Sequence, residues 1–365
     1  MCQRDWPSAR GPHVSGGRLL VTLLVMTLPL AACTAAGSGA APAATPAPAA
    51  AAPSEAPAAI PVAVGYSSLS DANLGLWIAQ DAGLFAQNGL AVQDFLYITS
   101  GTLTVQALIG NNVQFAAAGS DAIIDAVLHG SDLAMIAGAS NKFDFALIAG
   151  GDIQSGDDLR AKRVGISKIG SSSDFAARTA LQQLGLDPDN DVTILQIGGT
   201  GARLSALQSG AIDATVEIPP TLFEAENLGY HVVLDLANTG VEYEEGPIST
   251  TRDMIQNHPD TVRRFIRAYL EGIHRMKTDK QLAMQVSSHY THTTDPDILE
   301  KSWERFAQYS IPQVPYITDT AVETVLKELG ATDAAAGAAK PSQFYDNAFL
   351  KQAEDSGFVK QLYGS

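Results

Sequence analysis

Four residues, Ser171-Ser172-Ser173-Asp174, stand between an apolar stretch and a helix-like one. Free backbone N–H groups and the positive end of a helix dipole gather at such a junction, and hydroxyls add donors. The chemistry on offer there is capture of an oxyanion. The same residues also read as an ordinary helix cap, since Ser171 precedes Asp174 by three. Ser67-Ser68, Ser100-Gly101 and Gly119-Ser120-Asp121 follow three apolar strand-like stretches, and Asn141 precedes a crossover. Ligands of open α/β sheets sit beyond the carboxyl ends of strands, and glycine lets them approach the backbone. Gly199-Thr200-Gly201 offers backbone donors before a further helix, and Glu217 ends another strand, before Pro219-Pro220. Asp121 and Glu217 favour a cation or an N–H donor, against the serine cluster's preference for an anion. A zwitterion satisfies both. Lys168 and Arg203 either face the cleft or pair with surface carboxylates, the surface being the favoured reading.

Other chemistries are poorly represented. His289 and His292 stand three apart, a metal-ligand spacing, but the threonines around them suggest a turn and no cysteine is near. Gly198-Gly199-Thr200-Gly201 lacks the glycine spacing of a dinucleotide fingerprint. Gly170-Ser171-Ser172 is not a hydrolase nucleophile elbow. No nucleophile–base pair stands out, and no cofactor or metal is expected.

Alternating strand and helix signals must position these groups. Val62 to Tyr66, Leu90 to Ile98, Gln114 to Ala118 and Leu133 to Ala137 read as buried strands. Helical spacing separates them at Leu74 to Phe85, Val105 to Ile109 and Ile123 to Leu128. After a Gly/Asp/Ser-rich break at 150–158 the pattern restarts. Strands are predicted at Arg163 to Ile166, Val192 to Ile197, Ile212 to Val216 and Val232 to Leu236, with helices at Phe175 to Leu184 and Leu204 to Leu207. Apolar strands alternating with helices argue for parallel sheets covered on both faces. The segment from Ala107 to Ala116 lines up with that from Ala206 to Thr215, at the same step of both units. From about residue 252 the chain reads as helical, with Pro259 at a first helical position and Val262, Phe265, Ile266, Tyr269, Leu270 and Ile273 on one face.

The amino end has its own pattern. Arg4, Arg10 and Arg18 precede an apolar run from Leu19 to Leu30, too short for a stable bilayer span. Leu30-Ala31-Ala32-Cys33 closes that run and resembles the lipobox of bacterial lipoproteins. The resemblance implies cleavage before Cys33, lipid on Cys33, and an extracytoplasmic location anchored to a membrane. Removing residues 1–32, with three arginines against one aspartate, takes the net charge from −16 to −18. That charge argues against nucleic-acid partners. Cys2 and Cys33 are the only cysteines, so the fold rests on its core rather than on disulfides. Residues 34–60 are mostly Ala, Pro, Ser, Gly and Thr, a composition too poor in large apolar groups to pack.

Several stretches resemble solute-binding proteins of the nitrate/sulfonate/taurine type: Leu76 to Leu90, Gly170 to Arg178, Gly198 to Arg203 and His258 to Val262. The resemblance implies a two-lobed α/β fold of the periplasmic-binding-protein type (type II). Each lobe is a mainly parallel sheet flanked by helices, and the helical tail packs on lobe I. Expected boundaries are a signal peptide at 1–32, a tether at 33–60, lobe I at 61–145 plus 246–365, and lobe II at 146–245. The implied function is delivery of a small anionic or zwitterionic solute to an ABC importer, permease plus ATPase, by a monomer that closes around it. A lipoprotein sensor or partner-binding module is the alternative. The fold is also shared by synthases of a thiamine pyrimidine precursor, which rely on a Cys-rich motif absent here. The expected ligand contacts are Ser67, Ser68, Ser100, Gly101, Ser120, Asp121, Asn141, Ser171, Ser172, Ser173, Thr200 and Glu217.

Overall fold

The computed structural model describes residues 58–364 except residue 332. The apolar run, Cys33 and nearly all of the tether lie outside the described residues.

Two five-stranded sheets organise the chain. The first is β1 (Ile60–Tyr66), β2 (Leu90–Tyr97), β3 (Phe115–Ala117), β4 (Leu133–Ala137) and the much later β12 (Ile248–Thr251), in the order β2-β1-β3-β12-β4. The second is β6 (Ala146–Ala149), β7 (Arg163–Ile166), β8 (Thr193–Gln196), β9 (Ala214–Glu217) and β10 (His231–Asp235), in the order β10-β6-β9-β7-β8. A two-stranded ribbon of β5 (Ser140–Lys142) and β11 (Glu242–Glu245) lies on the chain's two passages between the sheets. The parallel expectation holds for β1 with β2 and β3, and for β7 with β8 and β9. One strand in each sheet is reversed: β12 runs antiparallel to β3 and β4, and β6 to β9 and β10. Apolar periodicity did not resolve these short strands. Each arrives directly from the other sheet, without the crossover helix that a parallel entry needs.

Helices cover both sheets. Those of the first half are α1 (Leu74–Asp81), α2 (Leu84–Gln87), α3 (Gly101–Ile109) and α4 (Ser120–Leu128). Those of the second are α5 (Ser172–Gln183), α6 (Thr200–Gln208) and α7 (Thr221–Asn227). The tail supplies α8 (Arg252–Asn257), α9 (Pro259–Thr278), α10 (Lys280–Thr291), α11 (Pro296–Trp303), α12 (Asp319–Leu329), α13 (Ala334–Ala338), α14 (Ala348–Asp355) and α15 (Phe358–Tyr363). Among the described residues, no helix is long and apolar enough to cross a membrane.

The tail packs back on the first half. Pro259 begins α9, whose apolar face is buried while Arg263 and Arg264 pair outward with Asp260. Phe265 stacks on Phe115 of β3 with ring centroids 3.9 Å apart. α9 crosses α1 where both lack side chains: a Cβ on Gly272 would overlap the Gly75 carbonyl oxygen. The histidine region is not a turn. α10 runs through His289, whose Nδ1 lies 3.0 Å from Asp81 Oδ2, and His292 caps the helix. Among the described residues no cluster could hold a metal.

The repeated segment has a structural counterpart. α3 and α6 are offset by 99 residues, as are the starts of β3 and β9. Each helix leaves through one left-handed residue, Asn111 (φ 55°) in one copy and Gly210 (φ 71°) in the other, two residue types that tolerate that conformation. The next strand is then clasped alike. Gln114 takes the Ala63 N–H on its side chain at 2.8 Å and donates its own N–H to Ala63 O. Asp213 does both with Arg163.

Candidate functional site

The two sheets turn the carboxyl ends of their parallel strands toward a common cleft. The first sheet contributes Ser67, Ser68 and Leu69 after β1, Tyr97 at the end of β2 and Thr99 just beyond it, and Gly101 at the start of α3. The second contributes Ser167 after β7, Ser171 to Ser173 at the start of α5, Gly199, Thr200 and Arg203 around the start of α6, and Ile218 after β9. Phe145 and Glu245 come from the two passages between the sheets. Such a place, outside the carboxyl edge of α/β strands, is where ligands of these folds bind.

The serines form a closed network. Ser167, Ser171 and Ser173 hydroxyls lie 2.8–3.0 Å from one another, and Ser173 Oγ accepts the Ser167 N–H. Ser171 donates to Lys168 O and does not cap the helix with its side chain. Asp174 accepts the Gly170 N–H at 2.9 Å and pairs with Arg178. The start of α5 thus carries its own carboxylate, which offsets the positive end of the dipole.

Arg203 corrects an expectation. It is 2 % exposed, not a surface cation. Its guanidinium donates to Gly198 O and Val216 O at 3.0 Å and to Glu217 Oε2 at 3.2 Å. Alternation along β9 turns Glu217 into the half's interior, where Arg203 returns to meet it from one turn into α6. Glu217 is fully buried, and that burial pushes its carboxyl up to about 7 against the pull of Arg203. It stands behind the cleft rather than on its lining. Lys168 is half-buried and is not part of the lining.

The other expected contacts divide. Ser67, Ser68, Gly101, Ser171, Ser172, Ser173 and Thr200 line the cleft. Ser100 does not: it caps α3, its Oγ accepting the Leu103 N–H at 3.3 Å. Asn141 sits on β5, away from the lining, because the ribbon carries it past the strand ends. Ser120 and Asp121 are buried in the first turn of α4 beneath the cleft. Tyr243 of β11 donates to Asp121 Oδ1, and burial raises the Asp121 carboxyl to about 7. Ser172 Oγ, Asp121 Oδ1 and the Tyr243 hydroxyl crowd one spot beside Gly119. Gly119 makes the room, since a Cβ there would overlap Ser172 Oγ.

Sequence reasoning missed Tyr97, Thr99, Phe145, Ser167 and Glu245. Ser167 was within reach, because it follows β7 as Ser67 follows β1, one repeat later. Glu245 carried no such signal, lying in a stretch with no apolar period.

The two halves touch at few polar points. Thr102 of α3 donates to Gly170 O at 3.0 Å, and Gln182 of α5 donates to Glu328 of α12 at 3.0 Å. Thr293 donates to Glu224. The Tyr97 hydroxyl occupies the place a side chain at Gly199 would take. A wider hollow lies between α3, α4, α5 and the end of α12. Its charged groups are largely matched, Arg178 with Asp174 and Asp189 and Gln182 with Glu328. The cleft is different. Glu245 lines it at 2 % exposure, and its Oε2 has no hydrogen-bond partner.

Comparison with known proteins adds to this geometry. The family described as NMT1/THI5 like matches residues 72–283. A Brachyspira hyodysenteriae protein named as an ABC transporter periplasmic binding protein is 27% identical over 146 residues, a match spanning 40% of this chain and 40% of that protein. The alkanesulfonate-binding protein SsuA of Xanthomonas axonopodis, solved with MOPS bound, superposes with a TM-score of 0.64 at 17% identity, covering 78% of this chain and 96% of that one. The nitrate-binding protein NrtA of Synechocystis gives a TM-score of 0.65 at 13% identity, covering 82% and 89%. At such identities the likeness is one of fold: the two-lobed α/β fold of periplasmic binding proteins.

Proposed function

The chain belongs to the NMT1/THI5-like family, and from that premise we propose that it is the solute-binding component of an ABC importer. One observation carries the reading: two α/β halves, joined by the β5–β11 ribbon, face each other across a polar cleft that draws its lining from both. Two passages of chain form a hinge, and a solute that touches both halves only when they meet stabilises the closed form. The halves correspond to residues 61–145 plus 246–365 and 146–245, and the protein works as a monomer.

The solute is small and polar. Backbone N–H groups at the starts of α5 and α6, with the Ser171 to Ser173 and Thr200 hydroxyls, suit a sulfonate, nitrate or carboxylate oxygen. The importer's permease and ATPase are the partners, and lipid on Cys33 holds the protein outside the cytoplasm. The lining offers hydroxyls, one carboxyl and a guanidinium whose Nη atoms are already bonded, without Cys or His, which supports binding rather than turnover.

Calorimetry and small-angle scattering on the same samples test this. A solute that binds at a single site should also reduce the radius of gyration and be recovered unchanged. Binding with no change in dimensions, or conversion of the solute, refutes the reading.

A further inference from the structure

We propose that Glu245 selects the solute, its carboxyl accepting a hydrogen bond from a ligand ammonium or N–H group. The cleft then prefers a solute that carries a nitrogen donor over an amine-free anion of the same shape. This rests on the solute-binding reading and names the class of solute.

The argument starts from an unmet acceptor. A buried polar atom without a partner is costly, and native proteins rarely leave one unless something else fills the role. Glu245 Oε2 is such an atom, and it borders the cleft rather than the packed core. Its own protein neighbours cannot satisfy it. Ser172 has a single hydroxyl proton, and Asp121 and Tyr243 compete with Glu245 for it. Arg203, the guanidinium of the lining, spends its Nη donors on Glu217 and two carbonyls, and its Nε is unpartnered as well, so it does not reach Glu245 either. Tyr243 gives its proton to Asp121.

The acidic groups point the same way. Burial holds Asp121, Glu217 and Glu245 toward their neutral forms, with Arg203 the buried cation beside them. An ammonium brought against Glu245 favours its charged form, which an amine-free anion does not, and charge-assisted bonds of this kind are short and strong. Asp121 and Glu217 each keep one unpartnered oxygen too, but both lie off the lining, whereas Glu245 is on it.

Position adds a consequence. Glu245 ends β11, in register with Ser140 of β5, so it belongs to the ribbon between the halves. A donor held there is fixed at the hinge, while the remainder of the solute reaches the serines of α5.

The test uses the purified full chain and two matched pairs of probes: 2-aminoethanesulfonate with ethanesulfonate, and 3-aminopropanoate with propanoate. Affinity is measured by calorimetry near neutral pH. The amine-bearing member of at least one pair is expected to bind about tenfold or more tighter than its partner. Glu245→Gln, which keeps the shape of the neutral carboxyl, should bring that pair to within about twofold, and Glu245→Asp should retain the preference at reduced affinity. Equal or tighter binding of the amine-free members overturns the Glu245 assignment while leaving the solute-binding reading intact. A preference that survives in Glu245→Gln overturns it too. Failure of all four probes to bind counts against the assignment, and if a broader solute screen also leaves the scattering unchanged, the solute-binding reading falls with it.

Discussion

Arg203 Nη2 lies 3.2 Å from Glu217 Oε2 with both side chains shut away from water. Their positions, one turn into α6 and at the end of β9, join two elements of the second half. Arg203→Met leaves a buried carboxyl without its counter-charge and is expected to cost about 3–5 kcal/mol. The loss should appear as a lower urea midpoint with an unchanged slope. The double variant Arg203→Met with Glu217→Leu is expected to be more stable than Arg203→Met alone, because it removes the stranded charge.

Two glycines in helices should respond oppositely to alanine. At Gly272 a Cβ meets the Gly75 backbone, which cannot swing aside, so Gly272→Ala is expected to destabilise by about 1–3 kcal/mol or more. Gly337 lies exposed in α13, and an added methyl there would meet nothing within 4 Å. Gly337→Ala is expected to stabilise by about 0.5–1 kcal/mol. Paired thermal melts of the two variants separate the outcomes.

Stability should fall as the medium is made more alkaline across the neutral range. Burial raises Asp71 to about 6, Asp121 and Glu217 to about 7, and Glu244 to about 8. Between the ordinary carboxylate range, about 4, and those values, the native state binds more protons than the unfolded chain, so stability declines with rising pH. Asp213 acts in the opposite direction: Arg163 lowers it to about 2, so its contribution is lost only in strong acid. Melting temperatures should therefore be higher at about pH 5 than at about pH 8. Glu244→Gln should flatten the upper part of that slope, and a flat profile in the unmodified protein would contradict this account.

Thr102 bridges the halves while contributing little to either. Thr102→Ala is expected to change urea stability by less than about 0.5 kcal/mol. It removes the hydrogen bond to Gly170 O and so should weaken solute affinity several-fold, about what one net hydrogen bond is worth. Unfolding curves and calorimetry on one preparation check both halves of the statement.

Elements driven by local pattern could be read in advance. β1, with its run of buried residues, and α9, with Pro259 and one apolar face, follow from side-chain spacing that the sequence displays directly. The Ala107 and Ala206 echo was visible because both copies need the same left-handed exit. What spacing does not encode is which distant segments pair. β6 and β12 are four residues each, too short for a period to show, and their reversed direction depends on where the other half lies. The same holds for the site. Ser67, Ser68 and the α5 serines follow strands and could be placed. Glu245 and the burial of Arg203 follow from a ribbon and a strand end that meet only after folding.

The position of β12 governs how the molecule can be made. β3 and β4 share no edge of their own, so the seam between them stays open until Ile248–Thr251 is available to fill it. Everything from Ser140 to Glu245 is synthesised while the earlier sheet waits unfinished. A nascent chain emerging amino end first must therefore be kept from gluing that seam to a stranger. A version cut short before Ile248 is not a smaller clamshell but a broken one, with the keystone missing from its older side.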